Sequence, residues 1–292
     1  MTREPRILAE GIHFGEGPRW HRGRLWFSDF HAHAVMSVSL AGDLRREMDI
    51  DDQPSGLGWM PDGSMLVVSM VKRQVLRRAV DGSVSVHADL SRMASFHCND
   101  MVVDAGGRAY VGNFGFDLEA ELKARGFESV IADHPTANLI RVAADGQASV
   151  AASDMHFPNG AVITPDGKTL IVGETLSRAL TSFDIGADGA LANRRVWAST
   201  GPYVPDGIAL DSGGNIWVAN PIGPQCVLIA EGGAVLEVID TGQPCFACML
   251  GGEDGRSLFM LTSQPYLAHE AARAPLGKLL VATVDVPHAG WP

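Results

Sequence analysis

Short apolar runs alternate along the whole chain with turns rich in Asp, Gly and Pro, and the alternation repeats. The clearest segments are GEGPRWHRGRLWFSD (15–29), PSGLGWMPDGSMLVVSM (54–70) and CNDMVVDAGGRAYVGNF (98–114). They are followed by PNGAVITPDGKTLIVGE (158–174), PDGIALDSGGNIWVAN (205–220) and CFACMLGGEDGRSLFMLTS (245–263). Each has a small or polar start, a short apolar strand, a tight turn and a second apolar strand. The P-D-G and G-G turns are hairpin chemistry, because Gly supplies the positive φ that such turns need. A third alternating run follows most pairs, as in QVLRRAV (74–80), NLIRVAA (138–144), ALTSFDI (179–185) and QCVLIAE (225–231).

The start positions are Glu16, Ser55, Asn99, Asn159, Asp206 and Phe246, at intervals of 39, 44, 60, 47 and 40 residues. A period of this size with three or four strands per unit predicts propeller blades. Six starts predict an all-β, six-bladed β-propeller, a single domain over residues 1–292. One blade cannot cover its own faces, so neighbours must stack and the ring must close. An open β-sandwich does not account for six similar units. The long interval holds residues 115–138, in which DLEAELKAR reads as helix, with an acidic start and a basic end. Such an insertion falls in a loop on one face of the disc, as a lid over the channel or as a solvated connector.

The first strand of each blade lines the channel, so the six start positions converge at one depth. Five of the six carry side-chain oxygen, and no Lys or Arg stands among them as counter-ion. Buried carboxylates and amides are costly without partners. A divalent cation resolves this, with charge from Glu16 and Asp206 and neutral oxygens from Asn159 and Asn99. All-oxygen donors suit Ca²⁺, Mg²⁺ or Mn²⁺. His97 and Cys98, beside one start position, keep Zn²⁺ open. Taken singly, Asn or Asp before Gly is ordinary turn chemistry; the shared phase in different repeats is what points to a site.

These residues resemble the SMP-30/gluconolactonase/luciferin-regenerating-enzyme (LRE)-like family. The likeness is carried by EGPRW (16–20), CNDMVVDAGGRAYVGN (98–113), FPNGAVITPDG (157–167), VPDGIALDSGGNIWVAN (204–220) and CFACMLGG (245–252), in order over nearly the whole chain. The resemblance implies one divalent metal near the propeller axis and hydrolysis of lactones or similar esters. It implies that Glu16, Asn159 and Asp206 bind the metal, that Asn99 serves metal and substrate, and that Asp206 is also the catalytic proton acceptor. Sugar-lactone members carry an Arg two residues before the N-D asparagine. Here that position is His97, which makes it a substrate-binding candidate and a second candidate base, and points away from strict gluconolactonase activity.

The expected chemistry is polarisation of a lactone carbonyl by the cation, with Asn99 donating to the developing oxyanion. Phe14, Phe114 and Phe116 are candidates for an apolar wall, or for core. No G-x-S-x-G elbow or H-E-x-x-H helix is present, which disfavours a serine esterase or a zinc protease. Two other readings stand beside the lactonase: an arylesterase or organophosphate hydrolase on the same scaffold, and a non-catalytic ligand-binding propeller.

The resemblance implies a small-molecule lactone as partner, and composition argues against larger ones. The formal charge is −11 with no Lys/Arg run, which argues against nucleic acid or an anionic membrane. No apolar stretch approaches the ~18 residues of a membrane span, and the N-terminus lacks signal-peptide features, so a cytoplasmic protein is expected. The four cysteines, including the C-x-x-C of Cys245 and Cys248, read as small core residues in a reducing compartment.

Overall fold

The computed structural model describes residues 3–264 and 267–290, which form six four-stranded antiparallel sheets. The sheets are the blades of a propeller. Their innermost strands are Gly15–His21, Pro54–Trp59, Cys98–Val103, Pro158–Ile163, Ile208–Leu210 and Cys245–Gly251. The third runs read from the sequence are third strands: Gln74–Arg78, Ala137–Val142, Ala179–Ile185 and Gln225–Ile229. Each blade adds an outer strand that the turn pattern did not reveal, such as Val84–Asp89, which is largely exposed.

Local chemistry sets the hairpins. In blade 2 the chain turns at Pro61-Asp62-Gly63, where Gly63 takes φ +84° and its N–H donates to Met60 O at 2.9 Å. The Asp62 carboxylate accepts the Ser64 N–H at 2.9 Å. Apolar residues between adjacent blades supply the core. Leu25 and Phe27 of blade 1, for example, pack with Phe259, Leu261 and Leu279 of blade 6. Burial of this kind exists only when neighbours stack, which is why the ring is one cooperative unit.

The ring is closed by its two ends. The N-terminal strand Arg6–Ile12 pairs with Gly277–Thr283 and completes blade 6 from outside.

The insertion of blade 3 forms two short helices, α1 (Leu118–Arg125) and α2 (Phe127–Ala132). Asp117 caps α1 by accepting the Ala120 N–H at 3.0 Å. Val130 of α2 is fully buried against Phe157 and Leu176. A third short helix, α3 (Ala268–Ala271), follows the second strand of blade 6. All three lie at the end of the disc where the innermost strands begin. Across that end, Glu119 Oε1 of α1 comes within 4.0 Å of His269 Nδ1 of α3. No helix among the described residues is long and apolar enough to cross a membrane.

Candidate active site

The six start positions stand at, or just ahead of, the beginning of the six innermost strands. Glu16, Asn99, Asn159 and Asp206 are only 3–6% exposed, and Ser55 is fully buried. A single hydrogen-bond chain links four blades. Ser55 Oγ donates to Asn99 Oδ1 at 3.1 Å, and Asn99 Nδ2 donates to Asn159 Oδ1 at 2.9 Å. Asn159 Nδ2 donates to Thr175 Oγ1 at 3.2 Å, and that hydroxyl donates to Pro205 O at 2.9 Å, beside Asp206. The chain fixes which way each amide faces.

A backbone irregularity directs these side chains. In five of the innermost strands the pairing slips just past the start position: between Glu16 and Arg19, Pro54 and Leu57, Cys98 and Met101, Pro158 and Ala161, and Cys245 and Ala247. A bulge of this kind re-aims side chains and disrupts simple alternation. In blade 5 regular pairing begins only at Ile208, and Asp206 is held by its N–H to Ala219 O at 3.2 Å.

The glycine after the start residue has a different cause from hairpin chemistry. A Cβ at Gly56 would stand 2.3 Å from Met101 N, one at Gly160 2.5 Å from Asp206 O, and one at Gly207 2.7 Å from Ala247 Cα. Neighbouring blades approach backbone to backbone at the axis, and only glycine leaves room. Gly160 N–H donates to Asp206 O at 3.2 Å and Gly207 N–H to Phe246 O at 2.8 Å, so the close approach also stitches the ring.

Electrostatically the site is under-compensated. Burial pushes the Glu16 carboxyl well above its usual range, and the charges of Asp206 and Asp100 push it further. Burial likewise raises Asp206; a hydrogen bond from Asn159 offsets part of this, and Asp100 adds to it. Asp206 Oδ1 is buried with no hydrogen-bond partner. The buried cation nearby, Arg19, is already engaged: its guanidinium donates to Asp100 Oδ1 at 3.1 Å, to Pro18 O at 2.7 Å and to Met101 O. Burial raises Asp100, and Arg19 lowers it. The Arg19–Asp100 pair thus closes on itself and leaves Glu16 and Asp206 facing each other's charge.

A hard divalent cation fits this donor set. It matches two uncompensated carboxylates, an orphaned carboxylate oxygen and amide oxygens held in fixed orientation. Among the described residues no group of three His, Cys, Asp or Glu side chains is arranged to hold a metal. Glu16, Asp206 and the neighbouring amides offer oxygen alone, which is a hard-ion donor set.

The structure places His97 differently from the four axial residues. Its ring stacks on Phe96 at 4.1 Å, and its charged surroundings are Asp52, Asp117 and Arg73. Burial lowers its pKa. Phe14 packs on Phe246 at 4.6 Å and on Phe30 at 5.2 Å, while Phe114 stacks on Phe157 at 4.4 Å. Phe116 lies farther out, 6.2 Å from the His134 ring. His33 is exposed, but His31 is half-buried, edge-on to Phe14 at 6.2 Å. All four cysteines are buried and free, which fits the core reading of the C-x-x-C.

Arg19 and Asp100 were missed from sequence because the bulge hides them. Strict alternation puts Glu16 and Arg19 on opposite faces, and Asn99 and Asp100 likewise. The one available signal was the pairing of a lone Arg in EGPRW with the Asp of N-D, both inside apolar strands.

The model of the SMP-30/Gluconolactonase/LRE-like region matches residues 14–264, and the chain belongs to this family. It is 26% identical over 267 residues to pentonolactonase XacC of Haloferax volcanii, covering 88% of this chain and 84% of that protein. It is 32% identical over 167 residues to a 6-deoxy-6-sulfogluconolactonase of Pseudomonas putida, covering 55% of this chain and 57% of that protein. A regucalcin from Agrobacterium tumefaciens, described as a calcium-binding protein, shares the fold with a TM-score of 0.79 at 19% identity, covering all of this chain and 97% of that one.

Proposed function

We propose that the protein is a metal-dependent hydrolase that opens a lactone to its hydroxy acid, with Ca²⁺ as the ion. The observation that carries this is the pair of buried, uncompensated carboxylates Glu16 and Asp206, with Asp206 Oδ1 unpartnered, set beside oriented amides. The pentonolactonase and sulfogluconolactonase relatives support ester-ring hydrolysis as the chemistry.

In this reading Glu16, Asn159 and Asp206 hold the ion. A bound divalent cation supplies Lewis-acid polarisation of a carbonyl and a more acidic water. Asn99 uses one amide N–H on Asn159, and its second N–H donates to the oxyanion that develops when the lactone carbonyl is attacked. Asp206 takes the proton of the attacking water, since it belongs to the axial set and its Oδ1 has no hydrogen-bond partner. His97 borders the substrate and does not reach the reacting atoms. The insertion carrying α1 and α2, together with α3, roofs this end of the channel and keeps bulk water from the buried carboxylates.

Asp206→Ala and Glu16→Ala are expected to abolish lactone hydrolysis, followed by pH-stat after EDTA treatment and metal add-back, while circular dichroism stays native. Unchanged turnover in either variant contradicts the reading.

A further inference from the structure

One layer above the axial oxygens the channel changes character. The residues two positions before the six start residues are Phe14, Gln53, His97, Phe157, Val204 and Pro244. Because the blades repeat, these six positions correspond in the sequence phase of the repeat, on the side from which the innermost strands begin. None carries a fixed charge. Four are apolar, and the polar ones, Gln53 and His97, stand on the adjacent blades 2 and 3. Blade 6 also contributes Phe246 to the axial tier itself, where every other blade places oxygen.

The side-chain contacts make this tier a wall. Phe14 packs on Phe246 at 4.6 Å and on Phe30 at 5.2 Å, and the cluster includes the fully buried Ala271 of α3. On the far side Phe157, which has a left-handed φ of +58°, packs on Phe114 at 4.4 Å beneath α1 and α2. Two arginines at this end have neighbours of their own, although Arg178 Nε is buried without a hydrogen-bond partner. Arg73 donates to Ser91 O at 3.4 Å and Ala94 O at 3.1 Å, and Arg178 lies over the Phe127 ring at 5.7 Å. Gln53 Nε2 meets His31 Nδ1 at 3.4 Å, which extends the polar sector of blades 2 and 3 towards blade 1. A ring bearing several hydroxyls would have to leave most of them without partners against phenylalanine, and a site rejects a substrate whose polar groups it cannot satisfy.

We propose that the substrate is a lactone bearing an apolar alkyl or aryl substituent, with Phe14, Phe246 and Phe157 as its wall and Gln53 and His97 as the partners of a single polar substituent. This rests on the lactonase reading and names its substrate class. The hydrolysis is the same balanced step: water adds to the carbonyl, the ring C–O bond breaks, and the ring oxygen leaves as a hydroxyl.

The test compares kcat/KM of the calcium-loaded wild-type protein on γ-nonalactone and dihydrocoumarin with that on pentono-1,4-lactones and glucono-1,5-lactone. The apolar set is expected to be favoured at least tenfold. Phe246→Asn is expected to shrink that preference by about tenfold, and Phe246→Leu to retain it. If the asparagine variant fails to fold, the wild-type comparison still decides. A preference for the polyhydroxylated lactones overturns this inference and leaves the lactonase standing. Failure to open either class overturns the lactonase reading itself.

Discussion

Asn99 Nδ2 donates a 2.9 Å hydrogen bond to Asn159 Oδ1, joining two blades across 60 residues of chain. Because Asn99 Oδ1 accepts from Ser55, the bond fixes both amides: Asn159 Oδ1 faces Asn99, and the Asn159 N–H groups face Thr175 and Asp206. The two asparagines therefore have separable roles. Asn99→Ala is expected to lower kcat about 10²- to 10³-fold with ion affinity nearly kept. Asn159→Ala is expected to weaken the ion. Calcium titration calorimetry alongside steady-state kinetics separates the two; equal losses of affinity in both variants contradict this division.

The Arg19–Asp100 pair is a second buried relationship, and it bears on stability. Arg19→Met leaves Asp100 buried without its cation, at a cost of about 3–5 kcal/mol. Replacing both partners by apolar residues of similar size is expected to recover most of that loss. Urea unfolding of the two single variants and the double variant checks this. A double variant no more stable than Arg19→Met shows that the pair does more than neutralise itself.

Glycine at position 160 is required by the approach of blade 5, not by a turn. Gly160→Ala places a methyl 2.5 Å from Asp206 O and must push the blades apart. The expected cost is roughly 1–3 kcal/mol, with weaker calcium binding, because Asp206 moves with its backbone. Gly167→Ala is the control: its φ of +68° is strained but its Cβ position is open, so stability falls and calcium affinity does not. Loss of affinity in both variants removes the argument from close approach.

The raised carboxyls link ion, proton and fold. In cation-free protein Glu16 and Asp206 hold protons more tightly folded than unfolded. Their contribution to stability is full below the unfolded pKa and is lost as pH rises through the raised folded value. The melting temperature of EDTA-treated protein is expected to fall as pH rises above the ordinary carboxyl range. Calcium at a hundredfold its Kd restores about 2.7 kcal/mol. A melting temperature that is flat with pH and unmoved by calcium contradicts the linkage.

Much of this was legible in the sequence because the propeller repeats. The starts at Glu16, Ser55, Asn99, Asn159, Asp206 and Phe246 mark six blades, and the helix at Leu118–Arg125 lies where DLEAELKAR placed it. What stayed hidden was non-local or broke the alternation. Closure by Arg6–Ile12 joins the two ends of the chain, and no local pattern announces such a partner. The bulge between Glu16 and Arg19 turns a lone arginine inward against Asp100. The glycine of P-N-G and P-D-G was visible, but its cause, a neighbouring backbone, was not.

Glu16, Asn159 and Asp206 are proposed to gather around one divalent ion. Isothermal titration of calcium into EDTA-stripped protein, for wild type and for the isosteric variants Glu16→Gln and Asp206→Asn, measures this directly. The account predicts a single site in the wild type, proton release on binding, and at least a hundredfold weaker affinity in each variant. Wild-type affinity in both variants, or no calcium site in the wild type, contradicts it.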